Sequence, residues 1–196
     1  MELKALITRL HEHSTSTIDM SDAIQKALIY DNLKLMEGIK GTVSCILKEE
    51  GSLTEKFIEN LKSNPDAAFY VAVAGHLGKI ADSIGRVGDA VAQKINEGIL
   101  FSDKAMDEIN FLIEKTKDIL SNTSDMILAR NRIVAGYIAE SETNISNTAN
   151  DFSTRHEERL IEGTCLPKAS SLYIEILSAF KSIAWHAKEI AQGLRG

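Results

Sequence analysis

Few side chains in this 196-residue chain are spaced for chemistry. Asp82 and Asp89 stand seven residues apart, hence on one helix face, with Arg86 between them. Two carboxylates so placed could serve a metal or a phosphate role, or with Arg86 could form an intrahelical charge network, the commoner outcome of this spacing. His186 has Ser182 and Glu189 about one turn to either side and reads as a surface or supporting histidine more readily than as a ligand. His156 is followed by Glu157 and Glu158 and could assemble a site only if another helix supplied partners. In His76-Leu77-Gly78-Lys79 a lysine close to a histidine could orient a phosphoryl group, a loose pattern in an apolar stretch. Trp185, the only tryptophan, fills core or interface space, or anchors a partner if it is exposed.

Stronger catalytic signatures are missing. None of the five histidines has a glutamate three residues before it, which removes the ferritin-like di-iron arrangement. There is no glycine-rich phosphate loop, no nucleophile elbow and no acid pair set apart from ordinary charged faces, so a non-enzymatic protein is expected. Cys45 and Cys165 lie far apart without a metal-knuckle spacing; the first reads as a small core residue and the second as part of a turn.

The net charge of −6, with no run of five like charges, argues against nucleic acid as a partner. No stretch of about 18 uncharged apolar residues occurs, so membrane insertion is not expected. MELKALITRLHEH lacks a leader's apolar core and small-residue cleavage site, and the chain reads as cytoplasmic. Two prolines, 6% aromatics and abundant Ala, Ile, Leu, Lys and Glu favour an all-α protein.

The elements that must position these groups follow from apolar periodicity. Leu3, Leu6, Ile7 and Leu10 open a helix that the polar run His13 to Thr17 weakens, and Ile24, Ala27 and Leu28 continue it from Ile18. Asp31-Asn32 suggests a corner. A second stripe runs from Leu33 to Leu47, with Gly38 and Gly41 suited to close helix contact; Glu49 to Ser52 could break it before Phe57, Ile58 and Leu61 resume. Asn64-Pro65 starts a buried helix over Asp66 to Glu97, ended by Gly98. Ser102 caps the next, with Phe101 and Met106 as a hydrophobic staple; Ser121 to Ser124 suggests a bend in it. Asn131 to Glu162 is another long amphipathic helix. Gly163 ends it and Pro167 starts the last.

Six long segments thus fall into two sets of three, and LGKIADSIGRV lies weakly on FKSIAWHAKEI, with Ile80-Ala81 over Ile183-Ala184. The expected architecture is two tandem antiparallel three-helix bundles packed side by side, residues 1–98 and 99–196. Apolar positions left over on the long helices leave room for a homodimer.

At these residues the sequence resembles the PhoU family, whose repeated motif is close to L-E-R-I-A/G-D-x-x-x-N-I. Leu77 to Asp82 matches the first copy, while Ile99 to Ser102 and Glu108-Ile109 resemble the PhoU-like cytoplasmic domain of bacterial sodium-phosphate cotransporters. Residues 155–163 resemble the family's helix end, and Ser182 to Ala187 its final motif. The resemblance implies a regulatory or accessory protein of phosphate transport or signalling that docks to a membrane transporter or signalling protein, with iron or zinc held by acidic motif residues. Carried over position by position, the motif's Glu, Asp and Asn correspond to Gly78, Asp82 and Arg86 in the first copy and to Lys181, Trp185 and Glu189 in the second. Only Asp82 keeps a motif ligand, so the metal sites are expected to be lost or much weakened. Trp185, His186 and His156 remain as docking or supporting residues. The alternatives are a metal-binding bundle with a residual carboxylate and histidine site, and a histidine phosphotransfer bundle.

Overall fold

The computed structural model describes residues 2–194. They form helices α1 (Leu3–Tyr30), α2 (Ile39–Asn60), α3 (Ala67–Asn96), α4 (Asp103–Ala129), α5 (Arg132–Ile161) and α6 (Pro167–Gln192), with a 3-10 turn at Leu33–Met36 and no strand among the described residues. The all-α, six-helix expectation holds.

Helix ends follow local chemistry. The Ser102 side chain accepts a hydrogen bond from the Ala105 amide at 3.2 Å, and Asn131 accepts from Ile133 at 2.9 Å. Each satisfies an amide that the first helical turn leaves without a partner. Gly98 and Gly163, at φ of 60° and 72°, take the left-handed conformation just beyond α3 and α5.

Several expected breaks do not occur. The polar run in α1 is continuous helix because its hydroxyls bond back to carbonyls of the same helix: Thr15 to His11 at 3.1 Å, Ser16 to Glu12 at 2.9 Å and Thr17 to Ser14 at 2.6 Å. Ser14 and Thr17 are fully buried on the core face. The helix α2 runs unbroken through Glu49 to Ser52, and α4 through Ser121 to Ser124, where Thr123 bonds the Ile119 carbonyl at 2.7 Å.

The start of α3 differs as well. Asn64 accepts from the Asp66 amide at 3.0 Å, closing a turn, and the helix begins only at Ala67. Gly38 does not make close helix contact: it takes φ of 93° at the head of α2, and nothing lies within 4 Å of the place where a Cβ would stand on either Gly38 or Gly41. The close approaches are instead on α3. A Cβ at Gly88 would lie 3.5 Å from Ile24, and one at Gly78 would lie 2.8 Å from the carboxyl carbon of Glu50. Cys45 is exposed rather than in the core, because it lies on the solvent side of α2.

The two most buried helices, α3 and α6, pack on each other, and each also carries its own neighbours: α1 and α2 on α3, α4 and α5 on α6. A further seam joins α1 to α4. The α3 and α6 helices run antiparallel, so that Gly193 meets Phe69, His186 meets His76 and Ser182 meets Ser83. Ile80, Ala81, Ile183 and Ala184, the centre of the weak internal echo, are all buried here. Burying each isoleucine side chain contributes about 1.5–3 kcal/mol. The small alanines allow the helices to approach.

Candidate functional site

Where the α3–α6 seam reaches solvent, three aromatic side chains gather. The Nδ1 atoms of His76 and His186 are 3.0 Å apart, with ring centroids at 5.3 Å. Trp185 stands edge-on to both, 4.7 Å from the His186 ring and 6.2 Å from that of His76. At this separation one Nδ1 must donate and the other accept, so at least one ring is neutral. Burial sets the same preference: it pushes His186 down to about 4, reinforced by His76, Lys79 and Arg86, and it lowers His76 against the pull of Glu189. Further along the seam, the Ser83 and Ser182 hydroxyls meet at 3.0 Å, and Arg86 donates to Ser83 at 3.0 Å.

Trp185 is 46% exposed. Of the two placements left open by the sequence, the exposed one is observed.

The phosphotransfer pattern at His76 finds its Nδ1 already engaged by His186. Lys79, exposed on the same helix, favours the neutral state of His186.

Asp82 is exposed and lies away from the histidine pair, in a groove of about 400 Å³ between α2 and α3. Lys40, Lys48 and Arg86 line this groove with Asp82 and Asp89; Lys40 pairs with Asp89 at 2.8 Å, and the Arg86 Nε lies 3.8 Å from Asp82. Three cations beside two carboxylates leave a surplus of positive charge, the reverse of what a hard metal ion requires. The space that a side chain at position 78 would need is taken by Glu50 from α2. In the second copy, Lys181 is bonded to Asn150 at 2.7 Å. The acidic iron or zinc site implied by the family motif therefore does not fit these residues. Among the described residues no group of three or more His, Cys, Asp and Glu side chains is placed to hold a metal ion.

His156 belongs to a different neighbourhood, among α4, α5 and α6. It is 2% exposed, bonds Ser170 through Nε2 at 2.9 Å and packs 4.5 Å from the Tyr173 ring, while Glu157 and Glu158 face solvent. Beside it Arg159 makes a two-pronged bond to Glu108 at 3.0 and 2.7 Å, and the Tyr173 hydroxyl also donates to Glu108. Glu108 is 2% exposed. Burial and the bond to Glu108 push the Tyr173 phenol well up, and Glu108 raises Arg159. A cavity of about 170 Å³ adjoins this cluster, lined by His156, Cys165 and Tyr173 among others. Sequence reasoning missed Glu108 as a buried group. The available signal was a carboxylate on the apolar stripe of Ala105, Ile109 and Leu112, a place tolerated only with a partner cation.

Among the described residues no helix is long and apolar enough to cross a membrane.

No family model and no curated protein matches the chain. Solved structures do. The phosphate transport system regulatory protein PhoU from Streptococcus pneumoniae superposes with a TM-score of 0.75 at 14% identity, covering 98% of this chain and 93% of that one. PhoU from Pseudomonas aeruginosa superposes with a TM-score of 0.74 at 15% identity, covering 98% and 97%. The chain has a PhoU-like fold.

Proposed function

We propose that this chain is a non-enzymatic, cytoplasmic regulatory or accessory protein of phosphate transport or phosphate signalling. It acts by docking to a membrane phosphate transporter or to a signalling protein, and it carries degenerate metal motifs. The observation that carries this reading is the superposition on PhoU structures over 98% of the chain, one of them described as a phosphate transport system regulatory protein. A fold alone does not license a function. The motif residues Leu77 to Asp82, on the helix at the centre of that fold, add support.

In this reading residues 1–98 and 99–196 are two related three-helix units. The packing of α1 and α2 on α3, matched by α4 and α5 on α6, supports that division. Trp185 is the docking anchor, since a large aromatic side chain exposed beside two polar rings offers both contact area and orientation. The groove at Asp82, with cations outnumbering carboxylates, supports a protein that works through shape and contact more than through the acidic metal chemistry of its motif.

The test is deletion in the native cell with phosphate uptake measured under scarcity and excess, alongside affinity capture of the tagged protein. Altered uptake and recovery of a transporter component are expected, with recovery reduced by Trp185→Ala. Unchanged uptake under both conditions would count decisively against the reading.

A further inference from the structure

We propose that His76 and His186 form a binding site for one divalent late transition-metal ion, Cu²⁺ or Ni²⁺. The site is separate from the acidic motif positions and stands independently of the regulatory reading above.

Two imidazole nitrogens from different helices face one another at 3.0 Å. Imidazole is a good ligand for copper, nickel and zinc. With metal–nitrogen bonds of about 2.0–2.1 Å, a 3.0 Å separation subtends roughly 95° at the ion. That angle suits a neighbouring pair in a square-planar or octahedral sphere, the geometries that Cu²⁺ and Ni²⁺ favour.

The scaffold holds both rings in place. His76 rises between the buried Ala74 and Leu77, and His186 between the buried Ala184 and Ala187, on the two most deeply packed helices. One Nδ1 accepts the other's proton across 3.0 Å, so at least one ring is neutral and offers a nitrogen lone pair to a metal. The ring that donates the shared Nδ1 proton carries it on Nε2 instead once its Nδ1 binds the ion. No net proton is released.

Charges around the pair come from both helices. Glu189 on α6 draws a cation; Lys79 and Arg86 on α3 oppose one. No third side chain completes a ligand group among the described residues, so water fills the remaining positions. The stability order of these ions places Cu²⁺ ahead of Ni²⁺.

Trp185 is a built-in reporter, since it is the only tryptophan and lies beside both rings. The tag-free full chain is titrated with CuCl₂ and with NiCl₂ by fluorescence and calorimetry. One equivalent is expected to quench Trp185. Either His76→Ala or His186→Ala should weaken binding at least tenfold, Asp82→Ala less than twofold, and Trp185→Phe should keep the calorimetric signal.

Circular dichroism checks the fold of each variant; His76→Gln and His186→Gln replace any alanine variant that unfolds. Electron paramagnetic resonance of the Cu²⁺ complex should show nitrogen ligation that is lost in the double variant. Binding of unchanged affinity in both histidine variants, or no saturation near one equivalent, overturns the proposal.

Discussion

Two ion pairs tie neighbouring helices together, and they do so in opposite environments. In the first half, Arg9 of α1 grips Glu49 of α2 with two bonds of 2.7 Å and also reaches Glu12 at 2.8 Å. Its side chains remain 41% and 36% exposed, at the edge of an open groove of about 650 Å³ between α1 and α2. In the second half, Glu108 of α4 is enclosed by Arg159 of α5 and Tyr173 of α6. The geometry of the bonds is alike; the solvent is not. Water and salt screen the first pair, and the bonds to Arg9 hold the Glu49 carboxyl down at about 2 without making the contact worth much to stability. The second pair has given up its hydration, so either partner left alone would be a bare charge in the core.

That contrast predicts its own largest effect. Replacing Glu108 by Ala should destabilise the chain by about 3–5 kcal/mol, since it strands the Arg159 guanidinium, and should lower the melting temperature by roughly 10 °C. The double replacement Glu108→Leu with Arg159→Met should recover most of that loss in a urea titration. If the double variant is no better than the single one, the cost lies in packing and not in an unpaired charge.

A smaller effect is expected from Tyr173→Phe, which removes one bond to a carboxylate that Arg159 still satisfies. The expected loss is about 1.5 kcal/mol, measured the same way.

Protonation probes both regions. Burial, then Arg159, lowers the pKa of His156, and burial, then Arg9, lowers that of His13. His13 Nε2 lies 3.2 Å from Glu49 but lacks the alignment of a hydrogen bond, which agrees with a neutral ring. Each folded-state pKa lies below the unfolded value of about 6.5. The unfolded chain therefore binds more protons between the two values, and stability is full above about pH 6.5 and falls as the pH drops through it. Stability measured from pH 8 to pH 5 should show this decline. His76 and His186, lowered in the same way, add to the decline, so His156→Gln should reduce it without abolishing it.

The smallest effect belongs to the exposed pair. Arg9→Ala should cost no more than about 1 kcal/mol, and the cost should shrink further in 1 M salt. A loss comparable to that of Glu108→Ala would erase the distinction between the two regions.

Much of the fold was legible along the chain. Ser102, Asn131, Gly98, Gly163 and Pro167 mark helix ends through local bonds and local backbone preferences, which depend on near neighbours in sequence. The unrealised breaks at hydroxyl-bearing runs share one cause. Thr17 and Thr123 look like punctuation when polarity alone is considered, yet a hydroxyl bonded to its own helix can be buried in a helix–helix seam. Cys45 erred in the other direction, since a small apolar residue carries little information about which face it occupies.

The candidate site was less legible. Trp185 and His186 stood out by residue type and by their place in the motif. His76 stands in a different local pattern, beside Lys79, and nothing within its own helix points to His186, 110 residues away. Asp82 kept its motif position, but the lysines that surround it come from α2.

Apolar periodicity, caps and turn residues, all short-range properties, determined six helices and most of their limits, although Leu33–Met36 is a separate 3-10 turn and α2 begins only at Ile39. The echo of Ile80-Ala81 in Ile183-Ala184 further indicated two similar sets. Which side chains share a neighbourhood was decided only when α3 and α6 packed antiparallel and α4 and α5 closed over Tyr173. The pairing of His76 with His186, and of Glu108 with Arg159, depends on helix register and desolvation between elements distant in sequence, and neither quantity is written in the local pattern.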